Sequence, residues 1–101
     1  MTTTNEIKIN TGYRITPVIE GNKPLLCYVT GRQGSFLSVL IVNGICTAEV
    51  FSRGAFGVDR EFARVTTPWG FYNLSPVGEV SDVNEIAQVC DIIRSAPEVE
   101  L

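Results

Sequence analysis

The sequence contains no histidine, the side chain that enzymes use most often as a general base and proteins use most often as a metal ligand. Its absence also removes the usual partner of a nucleophilic serine or cysteine. Catalysis would have to rest on carboxylates such as Glu49, Asp59 and Glu61, and no catalytic motif surrounds them. We therefore expect a protein that is not an enzyme, with no metal site and no cofactor.

Long apolar runs are missing too. The longest, residues 25–29, has five residues, whereas a membrane-spanning helix needs about 20. The first five residues are neither basic nor apolar, so we expect no signal peptide. Cys27, Cys46 and Cys90 lie far apart in apolar surroundings, which indicates reduced thiols in a cytoplasmic protein, with a Cys27–Cys46 bridge as the alternative.

Charge of either sign is sparse, and the net charge is −3. This value is too small for a nucleic-acid binder or an acidic mimic of nucleic acid, so we expect neither nucleic acid nor membrane as a partner. The acidic residues concentrate at the end of the chain, where residues 79–101 hold six of them against one arginine. That concentration predicts an acidic, solvated helix face.

What is present is enough for one domain. The chain has 101 residues, of which 45% are hydrophobic, and this suits a single core over residues 1–101. We expect residues 1–5 and 97–101 to be frayed.

Two apolar runs flank Asn43-Gly44, the dipeptide most typical of a two-residue type I′ hairpin. This turn would pair Val42 with Ile45 and sort the alternating side chains onto two faces. One face is free of polar residues and is predicted to be core: Leu37, Val39, Ile41, Cys46, Ala48 and Val50. The other face is mixed but also carries large apolar residues: Phe36, Leu40, Val42, Ile45 and Phe51.

Helical periodicity begins after residue 81. Val83, Ile86, Cys90 and Ile93 recur at helical spacing, Asp82 is positioned to cap the first turn, and Pro97 stops the helix. The pattern predicts a helix over 82–95 that packs on the hairpin's core face through those four apolar residues.

These elements predict an α+β fold: one antiparallel, twisted sheet of five to six strands with a single C-terminal helix packed on one face. The mixed face of the hairpin then needs a second cover. We expect Phe36, Leu40, Val42, Ile45 and Phe51 to meet another chain, either a host protein or a second copy. The competing explanation is internal, with residues 69–74 or 13–19 folding over the patch to complete a barrel-like core.

A second candidate site combines arginines with aromatic residues, a combination that can bind a small anionic, nucleotide-like ligand. Its members are Arg53, Arg60, Arg64, Trp69 and Tyr72.

The leading functional hypothesis is a non-enzymatic protein–protein interaction protein. Phages and mobile elements often encode small acidic proteins of this kind as inhibitors that occlude a host protein. The alternative is an oligomeric protein that binds or sequesters a small anionic ligand.

Overall fold

The computed structural model describes residues 6–42, 44–51 and 61–96. Six strands come first along the chain: β1 (Thr11–Pro17), β2 (Leu25–Gln33), β3 (Phe36–Ile41), β4 (Gly44–Phe51), β5 (Phe62–Thr67) and β6 (Gly70–Leu74). A short 3-10 helix, Pro76–Gly78, then leads into α1 (Val83–Arg94). The segments 1–5 and 97–101, for which fraying was predicted, lie outside the described residues.

The sheet is a closed antiparallel barrel. Each strand pairs with the next one along the chain, and β6 pairs back onto β1 through Thr16 with Asn73 and Pro17 with Tyr72. The predicted α+β composition is present, but the predicted open sheet is wrong. An open sheet with one helix would leave two unpaired edges and one apolar face in water, whereas closure removes the edges and covers the inner face with the other strands.

The inner side chains of all six strands meet in one core, and Ile7 closes one end of it. The buried cluster consists of Ile7, Tyr13, Ile15, Cys27, Val29, Leu37, Val39, Ile41, Cys46, Ala48, Ala63, Val65, Tyr72 and Leu74. The hairpin residues predicted for the core are therefore confirmed, with Val50 packed against the cluster. Burial raises the pKa of the Cys27 thiol to about 12, and Cys27, Cys46 and Cys90 are all free, so the bridge does not form.

The β3–β4 hairpin has a register two residues away from the predicted one. Ile41 pairs with Gly44 and Leu40 with Ile45, so Val42 lies in the loop instead of opposite Ile45. Gly44 belongs to β4 and is not among the glycines with positive φ, which removes the reason for placing it in a type I′ turn. Asn43 itself lies outside the described residues. Because the shift is two residues, every side chain keeps its predicted face.

Helix α1 packs on the outside of the barrel, against β2 and β3. The four residues predicted to bury it are exposed instead: Val83, Ile86, Cys90 and Ile93. Val89 and Ile92 are the buried residues of the helix. Gly12 of β1 explains why the Val89 side of the helix faces the barrel. Gly12 has no side chain, and a Cβ there would lie 3.0 Å from both methyl carbons of Val89. An ion pair between Arg14 of β1 and Glu85 fixes the same side of α1.

Polar contacts around Glu61 connect the segment before β1, strand β2 and the start of β5. Its carboxylate accepts hydrogen bonds from the backbone N–H of Ile7 at 2.9 Å and from both terminal nitrogens of Arg32 at 3.0 and 2.9 Å. This bidentate pair joins β2 to the residue before β5.

Candidate functional site

The outer face of β3 to β6 forms a groove of about 250 Å³ on the barrel. We call it the aromatic groove, and its lining residues are Phe36, Thr47, Glu49, Phe51, Arg64, Thr66 and Phe71. Helix α1 packs on β2 and β3 and leaves the outer face of β4 to β6 uncovered. The groove therefore presents its side chains to solvent.

Strand register explains why these side chains meet. Phe36 pairs with Glu49, Glu49 with Arg64, and Arg64 with Asn73, so these four residues form one row across the outer face. Opposed residues in an antiparallel sheet point to the same side and lie within contact distance. The neighbouring row brings Phe71 opposite Thr66, beside Arg64.

Arg64 is the cation of the groove. Its Cζ atom lies 6.0 Å from the centroid of the Phe71 ring, within the range of a cation–π contact. Its Nε is buried and has no hydrogen-bond partner in residues 6–42, 44–51 and 61–96, and the same holds for Oδ1 of Asn73 next to it. A buried polar atom without a partner is uncommon, so two on adjacent strands mark this row as unusual.

Arg64 also differs from the other arginines that the structure describes. Each of the other three is held by a carboxylate: Arg14 by Glu85, Arg32 by Glu61 and Arg94 by Asp91. Arg64 has no such partner among the described residues, although Glu49 stands opposite it on β4. A guanidinium group offers five N–H donors, so Arg64 retains donors for a group from outside the chain.

The phenylalanines supply the apolar part of the groove. Phe36 is 54% exposed and Phe71 is 49% exposed, so each leaves about half of its surface in water. Phe51 and Phe62 are half-buried and form a tilted pair with ring centroids 6.0 Å apart. Chemically, the groove can hold an apolar side chain beside an acceptor such as a carboxylate or a carbonyl oxygen.

The residues predicted as a partner interface fall into two groups. Phe36 and Phe51 line the aromatic groove. Leu40 is buried on the outer face, where α1 contacts β3. Val42 is exposed at a notch of about 400 Å³ between α1 and the start of β2, and Ile45 is exposed opposite Leu40. The exposed pair of Ser38 and Thr47 lies between the two groups, which interrupts the apolar patch.

The predicted anion-binding residues are dispersed. Arg53 and Arg60 lie outside the described residues. Arg64 points outward, whereas Tyr72 is buried inside the barrel with its hydroxyl 3.4 Å from the carbonyl oxygen of Lys23. Trp69 is exposed in the loop between β5 and β6. The structure thus groups Arg64 with Phe71 and Asn73.

Sequence reasoning did not place Asn73 in the site. The alternation along β6 carries the signal: Phe71 and Asn73 share one face, and Tyr72 and Leu74 share the other. Leu74 is apolar and buried, so the face that it shares with Tyr72 is the inner face of the barrel, and Phe71 and Asn73 are on the outer face. Only the pairing of β5 with β6 then brings Asn73 opposite Arg64.

The carboxylates considered for catalysis have different environments. Glu61 is engaged by Arg32 and the Ile7 backbone. Glu49 is exposed and pairs with Phe36. Asp59 lies outside the described residues.

The described residues contain neither a cluster of metal ligands nor a helix that could cross a membrane. Within residues 6–42, 44–51 and 61–96, no three potential metal-ligating side chains come together. The longest helix in these ranges, α1, has 12 residues, and none of the helices there is long and apolar enough to cross a bilayer. Comparisons of the chain with protein-family models, curated proteins and solved structures gave no match.

Proposed function

We propose that this protein is a non-enzymatic binding protein that holds another protein chain in the aromatic groove. The observation that carries the proposal is Arg64, which has no ion pair within the part of the chain that the structure describes and lies over Phe71 on an exposed sheet face. Arginine and large aromatic residues are the side chains that contribute most to protein–protein binding when they are desolvated by a partner.

The size of the groove favours a protein over a small molecule. Sites that enclose small ligands usually have volumes of about 300–1,000 Å³ and bury most of the ligand surface. The aromatic groove has about 250 Å³ and lies on the convex outer wall of the barrel. A surface of this shape suits a chain laid across it, with one side chain seated between Phe36 and Phe71.

Charge in the groove also limits the chemistry of the partner. Arg64 favours a carboxylate or carbonyl oxygen, while Glu49 beside it repels a second acidic group. The partner segment therefore presents one acceptor next to an apolar side chain. Inhibition of a host protein by occlusion would use such a surface and stays a prediction. So does a cytoplasmic location, which the free and exposed Cys90 supports.

The test is partner capture with matched variants of exposed residues. Phe71→Ser and Arg64→Gln change the groove, and Val77→Ser changes an exposed apolar residue elsewhere on the surface. We expect wild type and Val77→Ser to retain the same partner in native mass spectrometry, and both groove variants to lose it at an unchanged melting temperature. Retention of the partner by both groove variants would refute the proposal.

The unpaired guanidinium of Arg64 also favours a second candidate function, the binding of a small anion. A thermal-shift panel of inorganic phosphate and nucleotides tests it, because a ligand at a hundred times its dissociation constant stabilises the folded state by about 2.7 kcal/mol. The anion hypothesis expects a stabilisation that weakens with salt and disappears in Arg64→Gln. The protein-binding proposal expects no shift with any member of the panel.

A further inference from the structure

A row of four polar side chains crosses the outer wall of the barrel. Each is paired with the next across neighbouring strands, and we call them the polar row: Glu49 of β4, Arg64 of β5, Asn73 of β6 and Thr16 of β1. Within the described residues, none of these side chains has a hydrogen-bond or ion-pair partner. Two of their atoms, Nε of Arg64 and Oδ1 of Asn73, are buried in this unpaired state. Such atoms cost stability, so a row that keeps them is typical of a binding site.

The position of Arg64 explains why the polar row does not pair with itself. Its guanidinium group lies over the ring of Phe71 on β6, with Cζ 6.0 Å from the ring centroid. This contact directs the side chain toward β6 and away from Glu49 on β4. The carboxylate and the guanidinium group therefore stay apart, and both remain able to bind groups from outside the chain. The side chains of Arg64 and Asn73 are half-buried on the outer wall, where a partner laid over the wall reaches them.

The chemistry of the polar row selects a neutral group that both accepts and donates hydrogen bonds. Arg64 offers donors only and the carboxylate of Glu49 acceptors only, whereas the amide of Asn73 and the hydroxyl of Thr16 offer both. The charges of Glu49 and Arg64 cancel. A carboxylate or phosphate would satisfy Arg64, but Glu49 would repel it and it has no donor for Oδ1 of Asn73. A polypeptide main chain is neutral and carries one N–H donor and one carbonyl acceptor on nearly every residue, so it satisfies the whole row.

From this complementarity we propose that the polar row binds the main chain of an extended segment of the partner protein, an inference that rests on the function proposed above. Arg64 donates to a main-chain carbonyl oxygen, and Oδ1 of Asn73 accepts from a main-chain N–H. Neighbouring strands lie about 4.8 Å apart, so the row spans about 14 Å, the length of about four extended residues. Phe36 and Phe71 beside the row then contact an apolar side chain of the same segment.

A displayed library of short linear peptides, selected on the immobilised protein, supplies the probe. The enriched peptides are expected to bind Asn73→Leu about tenfold more weakly than wild type, because the variant lacks one hydrogen-bonding group. Its melting temperature should be unchanged or higher, since it also lacks the unpaired buried oxygen. Asn84→Leu is the matched control, because Asn84 is exposed on α1. N-methylation of single main-chain nitrogens in an enriched peptide should weaken binding to wild type at one or more positions, and this measurement depends on no variant.

The outcomes separate this inference from the proposed function. Peptides that bind Phe71→Ser and Arg64→Gln as tightly as wild type contradict binding in the aromatic groove itself. Peptides that those variants lose, but that bind Asn73→Leu normally and tolerate every N-methyl group, overturn the polar row alone. Failure to enrich any peptide overturns it too, as does an enriched acidic consensus whose binding weakens with salt. Neutral oligosaccharides also donate and accept hydrogen bonds, so binding of an oligosaccharide panel in place of peptides would overturn the assignment to a main chain.

Discussion

The side of α1 that faces the barrel can be tested with two substitutions of the same chemistry. Val89 is 5% exposed and packs over Gly12, whereas Val83 is 80% exposed on the same helix. Replacing valine by alanine removes two carbon atoms in each case. At about 0.8 kcal/mol for each buried carbon, Val89→Ala loses about 1.6 kcal/mol of transfer free energy. The space left above Gly12 raises the expected loss to about 2 kcal/mol.

Val83→Ala should cost almost nothing. Most of the side chain is already in water, and the better helix propensity of alanine offsets the few tenths of a kcal/mol that remain. Urea denaturation at constant m-value measures both changes, and for a domain of this size 2 kcal/mol corresponds to a fall in Tm of about 8–16 °C. Equal losses in the two variants, or a larger loss in Val83→Ala, would refute the packing of α1 described above.

Two further predictions concern Gly12 and Cys27. Gly12→Ala should lower the free energy of unfolding by about 1–3 kcal/mol, because its new Cβ would meet the methyl groups of Val89. Gly31→Ala is the control, since a Cβ at Gly31 would meet nothing within 4 Å. Equal stability of the two variants in urea would contradict the close contact between Gly12 and Val89. Burial raises the pKa of the Cys27 thiol from 9.0 to about 12, so the unfolded chain loses this proton at lower pH than the folded one. Stability should therefore fall as the pH rises from about 9 to about 12, with a shallower fall in Cys27→Ala. Denaturation midpoints across this pH range measure the slope, and identical profiles of wild type and Cys27→Ala would count against it.

The sequence predicted local structure well and long-range pairing poorly. Alternation placed Leu37, Val39 and Cys46 on the inner face, and the cap at Asp82 marked the start of α1. Neither signal reports which distant strand a sheet edge will meet. Barrel closure depends on Thr16 reaching Asn73 across most of the chain, and no short-range pattern encodes that pairing.

The wrong prediction of which side of α1 packs on the barrel also has a physical reason. Apolar residues cover more than half of α1, so its pattern alone does not choose between the Val89 side and the Ile86 side. The choice comes from the barrel, where Gly12 permits close approach and Arg14 pairs with Glu85. A glycine on an outward-facing strand position is a signal that could have suggested this contact.

The aromatic groove was predicted only in part. Phe36, Phe51 and Arg64 were singled out from composition and face, but in two separate hypotheses. The structure joins them because β3, β4 and β5 are successive neighbours in the barrel, and the register of each pair adds one residue to the same row. The hairpin register differs by two residues from the predicted one, and this difference brings Glu49 opposite Phe36. The prediction was based on the Asn43-Gly44 dipeptide alone, which gave the wrong register.

The barrel interior argues that binding takes place on the outside. Eight strands give an interior just wide enough for side chains to fill or for one small ligand, and six strands enclose less. Here two tyrosines fill that interior, and each has a partner for its hydroxyl: Tyr13 accepts a hydrogen bond from the Lys8 backbone at 2.9 Å, and Tyr72 donates to the Lys23 carbonyl. Among the described residues, both tyrosine hydroxyls of the core are therefore engaged within the chain. The proposed protein binding therefore falls to the outer wall, where the aromatic groove lies.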